Sequence, residues 1–321
     1  TRNGKRKFTY LNNLNCGEII LKSKQFCNLS EIVARAEDSE ASLLRKARLA
    51  TILGTYQSSL INLPYLSREW KKNCEQERLL GVSVTAQWDC PAVRKKDVLQ
   101  KLKQETIRVN KIYAKRFGIN ESTAITCVKP SGTVSQTVDA ASGMHPRFSP
   151  YYIRRVRISG TDSLFKMLRD QGVPYHPEVG QSKDNATTYV LEFPVKAPKN
   201  AIFKDDLSAI EQLDYWKLVK ENFTEHNPSQ TVYVSEEEWI GVANWLYSNW
   251  DIIGGLSFLP RSEHVYQLAP YEEIDENKYI IHTLQKNNSF SEKFLENRKK
   301  YNKTTGTDKI NEKIELLQNF L

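Results

Sequence analysis

The feature that most constrains the fold of this sequence is a pair of β-branched runs separated by a long amphipathic helix. The runs 77–89 ("ERLLGVSVTAQWD") and 122–128 ("STAITCV") predict buried strands. Between them, residues 97–118 carry apolar side chains at helical spacing and end on Gly118. A strand, a helix and a second strand form a βαβ-like unit, so we expect parallel strands with both sheet faces covered.

The same alternation extends to both sides of this unit. A helix is predicted over 39–63, ending near Pro64, and another over 208–226 between the strand patterns 186–195 and 230–234. Ser235 and Glu238 form a capping box before one more helical pattern, and "GGLSFLP" reads as a last short strand. These patterns predict an α/β protein with one continuous domain up to about residue 270.

Composition limits the class of protein. The chain has 321 residues, of which 40% are hydrophobic, enough for a sizeable core, and no run approaches the roughly 18 apolar residues of a membrane span. The first fifteen residues lack the apolar stretch of a secretory signal, so we expect a cytoplasmic location and no membrane partner. The five cysteines are scattered without a CxxC pair, which argues against a disulfide scaffold and against a metal site.

A net charge of +8 raises the question of an anionic partner. The most concentrated basic stretch is 142–159, "SGMHPRFSPYYIRRVRIS", which mixes arginines with aromatic residues. Such a mixture can grip phosphates and stack bases, or it can be a basic surface above buried tyrosines. Both interpretations are open from the residues alone.

Two cysteines and a carboxylate lie close together near the start of the chain. Cys16 and Glu18 are two positions apart, so in an extended segment they point to the same side, and Cys27 follows after a short stretch. A thiol and an adjacent carboxylate can transfer hydrogen and protons at one substrate. The alternative is an ordinary strand in which the cysteines fill space.

A second candidate site is the turn in "KPSGTVSQ", residues 129–136. Ser131, Gly132 and Thr133 lie between a strand and a predicted helix start, where backbone amides and hydroxyls can hold a phosphate. The pattern is not a Walker A loop, and the alternative is a simple turn.

Several segments together resemble a known family. "CGEIIL", "QFCNLSEI", "RLLGVSVT", "KPSGTVSQ", the basic stretch 142–159 and "GGLSFLPRSEHVYQLAPY" are similar, in this order, to the C-terminal half of monomeric adenosylcobalamin-dependent (class II) ribonucleoside-triphosphate reductases. The resemblance runs from Cys16 to about Tyr271. It implies half of a ten-stranded α/β barrel, with Cys16 at the tip of a finger loop inside the barrel.

The resemblance also implies roles for residues. Cys16 would carry the thiyl radical that removes the ribose 3′-hydrogen, Glu18 would deprotonate the 3′-hydroxyl, and Cys27 would be one of two reducing thiols. Ser131, Gly132 and Thr133 would bind the substrate phosphates. Adenosylcobalamin would be the cofactor, with contacts across residues 172–234 that the resemblance does not name individually. A ribonucleoside triphosphate, a thioredoxin-like reductant and the missing N-terminal half would be the partners of a monomer that binds no nucleic acid.

The sequence departs from the family pattern in two ways. Leu14 and Asn15 stand where the family has Asn-Pro before the cysteine. The family's second redox cysteine, allosteric site and first half of the barrel precede the position of Cys16, so we expect no turnover without an N-terminal half.

We therefore divide the chain into an arm 1–15, which an intein or intron remnant would explain, a reductase segment 16–275, and a Lys/Asn-rich tail 276–321, helical or partly disordered. The alternatives are a nucleotide-binding scaffold without turnover and a basic nucleic-acid-binding protein.

Overall fold

The computed structural model describes the backbone of residues 12–13 and all of residues 17–261 and 267–283. Cys16, most of the predicted arm and most of the predicted tail lie outside these residues. The helices are α1 Glu40–Gln57, α2 Arg68–Glu77, α3 Lys96–Phe117, α4 Val134–Thr137, α5 Ser163–Asp170, α6 Ala209–Asn222 and α7 Trp239–Ser248, with helical backbone also at 276–283. Short 3₁₀ turns lie at Lys204–Asp206, Glu236–Glu238 and Trp250–Ile252.

The described strands have two to nine residues. They are β1 Asn12–Asn13, β2 Ile20–Leu21, β3 Asn28–Val33, β4 Leu80–Thr85, β5 Tyr151–Ser159, β6 Tyr175–Pro177, β7 Thr188–Lys196, β8 Gln230–Val234, β9 Leu256–Pro260 and β10 Tyr271–Glu273.

The chain forms two compact units. Unit 1 comprises Thr1–Arg147 and Lys199–Ser262, and unit 2 comprises Phe148–Pro198 and Glu263–Leu321. This division differs from the single continuous domain that the strand–helix alternation suggested, because residues 148–198 belong to a separate sheet. The boundaries proposed at residues 15 and 275 stay predictions.

Unit 1 contains a row of parallel extended segments. β3 pairs with β4 in parallel, and β8 pairs with β9 in parallel. The segment 124–128 lies between these pairs, because parallel bridges join Val82 to Thr126 and Val128 to Pro228. Five extended segments therefore lie side by side with the same direction, as the βαβ pattern predicted.

The core of unit 1 lies between this row and its helices. All six residues of β4 are buried, and α1 and α3 cover them through Leu43, Ala47, Leu99 and Leu102, none of which is exposed. Each large apolar side chain buried in this way contributes about 1.5–3 kcal/mol relative to exposure. Both helices begin close to the predicted positions: α1 starts after the capping box of Ser39, and α3 is closed by Gly118 as its C-cap. α1 ends earlier than predicted, at Gln57 and not near Pro64.

Unit 2 is built on an antiparallel sheet with the strand order β10–β5–β7–β6. β5 and β7 pair over nine residues, from Tyr151 opposite Lys196 to Ser159 opposite Thr188. The strand predicted at 186–195 is thus confirmed as β7, but its neighbour is the basic stretch and not a strand of the parallel row. Strands that are joined by a helical crossover pair in parallel. β5 and β7 run in opposite directions, so this pairing does not follow the strand–helix alternation.

Candidate active site

The connection between β1 and β2 brings Glu18 to the interior of unit 1. The two strands pair antiparallel, with Asn12 opposite Leu21, so residues 14–19 connect them. This connection includes Cys16, which lies outside the described residues. Gly17 packs against Gly255: a Cβ added at Gly17 would lie 3.3 Å from the Gly255 Cα. Gly255 itself has φ +53°, and a Cβ there would lie 2.5 Å from the Pro228 carbonyl oxygen, so the close approach requires glycine.

Glu18 is completely buried and ionically paired. Its backbone carbonyl accepts a hydrogen bond from the Asn227 N–H at 2.9 Å, which fixes the connection to the turn before β8. Its carboxylate oxygen Oε1 accepts from the ammonium of Lys129. The other oxygen, Oε2, has no hydrogen-bond partner among the residues that the structure describes. A buried carboxylate oxygen without a donor is costly, so Glu18 has one oxygen available for a ligand or an undescribed group.

Lys129 is held at the end of the central segment of the parallel row. Its backbone N–H donates to the Ser83 hydroxyl at 2.9 Å, which anchors it beside β4. Its carbonyl is approached so closely by Gly143 that a Cβ there would lie 2.4 Å away. The side chain is a quarter exposed. The backbone is therefore fixed, and the ammonium reaches inward to Glu18.

Cys27 lies just before β3 and is partly buried. Burial raises the pKa of its thiol to about 12; the positive charge of Lys129 opposes this shift, and the charge of Glu18 adds to it. Cys27 packs against an apolar cluster that includes Ile19 and Cys127. At neutral pH the Cys27 side chain is therefore a protonated thiol.

Two further groups share these surroundings. Cys127 is fully buried, and burial together with the charges of Cys27 and Glu18 raises the pKa of its thiol well above the ordinary value. Burial also raises the pKa of Glu31, while hydrogen bonds from Ser131 and Thr85 and the charge of Lys129 oppose this shift. Lys129 is thus the cation that acts on each of these acidic groups.

The turn 131–133 begins two residues after Lys129. Ser131 is buried with φ +53°, and its hydroxyl accepts from the Ser135 N–H at 3.2 Å. Gly132 and Thr133 are exposed, and a Cβ added at Gly132 would meet no atom within 4 Å. The helix that follows, α4, has only four residues. The turn is therefore an open loop two residues after Lys129, and the helix start predicted there is brief.

The structure accounts for the basic stretch within the protein. Arg147 pairs with Asp89 at 2.9 Å in unit 1. In unit 2, Arg155 pairs with Glu192 at 2.7 Å, and Arg157 pairs with Glu178 at 2.5 Å. Arg154 lies over the ring of Tyr271, with its guanidinium carbon 4.4 Å from the ring centroid. These arginines bind carboxylates and an aromatic ring of the same chain, which favours the structural interpretation of this stretch over a nucleic-acid surface.

Sequence reasoning missed Lys129 and Cys127 as parts of the site. Both lie in the segment that the sequence identified as strand and turn, and they are two positions apart. In an extended segment this spacing places two side chains on the same side. The signal was therefore present, but the direction of that side toward Glu18 depends on the pairing of strands far apart in the chain.

No helix in the described part of the chain has both the length and the apolar character to cross a bilayer.

Comparisons with known proteins agree with the resemblance drawn from the sequence. No family model matches the chain. It is 34% identical over 171 residues to a probable adenosylcobalamin-dependent ribonucleoside-triphosphate reductase of Dictyostelium discoideum, a match that covers 52% of this chain and 22% of that protein. It is 26% identical over 297 residues to the adenosylcobalamin-dependent ribonucleoside-triphosphate reductase of Lactobacillus delbrueckii subsp. bulgaricus, covering 82% of this chain and 39% of that protein.

A solved structure shows the same fold. The crystal structure of a B12-dependent (class II) ribonucleotide reductase matches with a TM-score of 0.67 and 23% identity, over 88% of this chain and 44% of that one. The chain thus spans less than half the length of the relatives that it matches. The resemblance is confirmed: over most of its length this chain is homologous to adenosylcobalamin-dependent ribonucleoside-triphosphate reductases, and it has the fold of the corresponding part of a class II enzyme.

Proposed function

We propose that this chain is one part of an adenosylcobalamin-dependent ribonucleoside-triphosphate reductase and carries half of its active site. The observation that supports this most is Glu18: a fully buried carboxylate, two residues after Cys16, with one oxygen on Lys129 and the other without a donor among the described residues. A carboxylate oxygen that is buried without a donor does not stabilise a strand that only packs. It does suit a proton acceptor for a buried substrate hydroxyl.

The protonated state of Cys27 fits the reducing role. In the proposed reaction Cys16, as a thiyl radical, removes the 3′-hydrogen of the ribose. Glu18 accepts the proton of the 3′-hydroxyl while the 2′-hydroxyl takes a proton from one of two reducing thiols and leaves as water. Cys27 and a second thiol from outside this chain together supply this proton, the hydrogen added at the 2′-carbon and two electrons, and they end as a disulfide. Cys16 then returns the hydrogen to the 3′-carbon, and Glu18 returns its proton to the 3′-oxygen. A thiol with a pKa of about 12 keeps its hydrogen at neutral pH, which is the form that such a step needs.

The turn 131–133 is proposed to bind the substrate phosphates. A Cβ added at Gly132 would meet no atom within 4 Å, and the turn begins two residues after Lys129 in the sequence. The backbone amides of the turn and the exposed Thr133 hydroxyl suit a polyanion, whereas the Ser131 hydroxyl hydrogen-bonds Glu31. In this proposal the phosphates lie at one end of the site and the ribose lies beside Glu18.

Adenosylcobalamin is the cofactor that we propose, and unit 1 offers a feature that fits it. Gln230 is 1% exposed, and both polar atoms of its amide lack hydrogen-bond partners among the described residues. A buried amide with free donor and acceptor capacity suits the amide groups at the edge of a corrin. When bound, the cofactor supplies the radical that starts the reaction. The contacts expected across 172–234 would then include Gln230.

The remaining parts of the proposal concern the complete protein. A second five-stranded half would close the parallel row of unit 1 into the ten-stranded barrel, with the connection 14–19 as its finger loop. A thioredoxin-like protein would reduce the disulfide after turnover. The assembled enzyme would act as a monomer in the cytoplasm.

Reconstitution tests the proposal. The chain is co-expressed with the N-terminal segment of a matched reductase, and deoxyribonucleotide formation from a labelled ribonucleoside triphosphate is measured with adenosylcobalamin and a dithiol. Activity should appear with both parts and disappear in Cys16→Ser. Cys74→Ala, in α2, is the matched control and should keep the activity.

Three outcomes would contradict the proposal. Residual activity of Cys16→Ser above about a thousandth of the unmodified rate would reject the role of Cys16. Nucleotide binding without any product in the reconstituted protein would favour a scaffold that binds nucleotide without turnover. Salt-dependent DNA binding without affinity for nucleotide or cobalamin would favour a nucleic-acid-binding protein.

A further inference from the structure

We propose that Lys129 is a positioning residue of this site: its ammonium holds the Glu18 carboxylate in place and adds a positive electrostatic potential at Cys27. This inference rests on the proposed function for its catalytic meaning. The interactions that it describes involve only residues of this chain, so they can be tested without measuring nucleotide reduction.

The backbone contacts of Lys129 direct its side chain toward Glu18. Its backbone is fixed by the Ser83 hydroxyl on one side and by the close approach of Gly143 on the other. Its side chain then ends on Oε1 of Glu18, which has no exposed surface. With Oε1 occupied, Oε2 is the oxygen left to receive a proton. Lys129 thereby selects which carboxylate oxygen faces the substrate.

The charge of the same ammonium also acts on the other acidic groups around the site. Cys27, Cys127 and Glu31 each experience its positive charge, which lowers the pKa of each group against the larger effect of burial. Glu18 acts on both thiols in the opposite direction. The ammonium therefore offsets the carboxylate in a region where both would otherwise be costly to bury.

This arrangement has a chemical consequence for the proposed reaction. When Glu18 accepts the proton of a substrate hydroxyl, the Glu18–Lys129 pair changes from neutral to singly positive. The developing negative charge on the substrate oxygen then lies near an ammonium. Lys129 does not exchange a bond or a proton in this step, so its effect passes through Glu18.

Thiol reactivity in the 321-residue chain tests the inference directly. The rate of Cys27 alkylation by iodoacetamide is followed against pH by peptide mass spectrometry. In Lys129→Met the pKa of Cys27 should rise further, because the cation is gone while Glu18 remains. At a fixed pH below the pKa of Cys27, the alkylation rate should fall about threefold or more, because a rise of one unit in the pKa lowers the thiolate fraction about tenfold. Lys129→Arg should restore the original profile.

Two controls separate this effect from misfolding. Lys101→Met removes a lysine paired with Glu40 on the surface and should leave the profile unchanged. Cys90 is fully buried and should stay unlabelled in every variant that folds. If Lys129→Met does not fold, the double variant Glu18→Gln with Lys129→Met replaces it, since no unpaired charge is then buried.

The double variant is also a test of coupling. Glu18→Gln should regain much of the stability that Lys129→Met loses, so the two changes should be strongly non-additive in urea unfolding. Additive changes, or an unaltered Cys27 profile in Lys129→Met, would overturn the inference. In the reconstituted enzyme Lys129→Met should lower kcat with little change in KM, with rescue by arginine. If reconstitution yields no product while the thiol profile shifts as expected, the proposed function fails and the placement of Lys129 stands.

Discussion

At the scale of single residues, the site depends on backbone contacts that tolerate no side chain. Gly143 has φ +58°, and its N–H donates to the Thr85 hydroxyl at 2.7 Å. An added Cβ would lie 2.4 Å from the carbonyl oxygen of Lys129. Because this neighbour is backbone, it cannot move away without disturbing the segment that carries Lys129.

Gly143→Ala should therefore lower the free energy of unfolding by about 2–4 kcal/mol, from the left-handed backbone and the overlap together. Gly241→Ala, within α7, is the matched control. Its added Cβ meets only Ile210 at 3.9 Å, so helix propensity should make it more stable by about 0.5–1 kcal/mol. Urea unfolding of both variants measures the difference, and equal effects would contradict the geometry.

A second prediction at this scale concerns Arg147, which is 4% exposed and pairs with Asp89, whose side chain is 9% exposed. Burial by itself lowers the pKa of Arg147, but the hydrogen bonds and charges of Asp89 and Asp139 outweigh it, and the pKa is raised. Arg147→Met should cost about 3–5 kcal/mol of unfolding free energy because Asp89 loses its partner. The exposed pair of Lys101 and Glu40 provides the control: Lys101→Met should not change thermal unfolding measurably.

At the scale of elements, the helices are fixed at their ends by local side chains. Ser208 accepts the N–H of Glu211 at 3.1 Å, and the Glu211 carboxylate accepts the Ser208 N–H at 2.8 Å, which closes a capping box before α6. Ser67 occupies the same position before α2 but makes no capping hydrogen bond. The two helices thus offer the same residue type at the same position with and without the interaction.

Ser208→Ala should destabilise the protein by about 1 kcal/mol, whereas Ser67→Ala should have a much smaller effect. Chemical denaturation of the two variants in parallel gives the comparison. A cost at Ser67 as large as that at Ser208 would show that the loss does not come from the capping bond.

At the scale of the whole molecule, stability should depend on pH through His145. Its Nδ1 lies 2.8 Å from the Ser142 carbonyl oxygen, and its Nε2 accepts from the Thr231 N–H at 2.9 Å. This arrangement requires a neutral ring, because a proton on Nε2 would face another N–H. Burial lowers the pKa of His145, and the hydrogen bond to Ser142 opposes this only in part.

The unfolded chain binds this proton near pH 6.5, and the folded protein binds it only at lower pH. The unfolded state therefore gains protons first as the pH falls, and stability should decrease below about pH 6.5 until the folded-state pKa is reached. The slope from this group is at most about 1.4 kcal/mol per pH unit. His145→Gln should lose this part of the slope in unfolding curves recorded from pH 7 to pH 5. An identical slope in both proteins would contradict the assignment.

By itself, the sequence determined the local elements and the motifs. The periodicities gave α1, α3, α6 and the buried β4, because these patterns depend on neighbours three, four or two positions away. The spacing of Cys16 and Glu18 and the turn 131–133 followed from the same local reading and from the family resemblance. The roles of these residues stay predictions, since Cys16 lies outside the described residues.

Only the tertiary structure decided which of these groups meet. Lys129 is 111 positions from Glu18, and their ion pair exists because Glu18 is held beside the turn before β8 through the Asn227 N–H. The pairing of β5 with β7, which brings Arg155 to its carboxylate partner Glu192, likewise joins segments that are not adjacent in the chain. Such contacts depend on strand register and on the packing of the core, neither of which a local pattern of residues encodes.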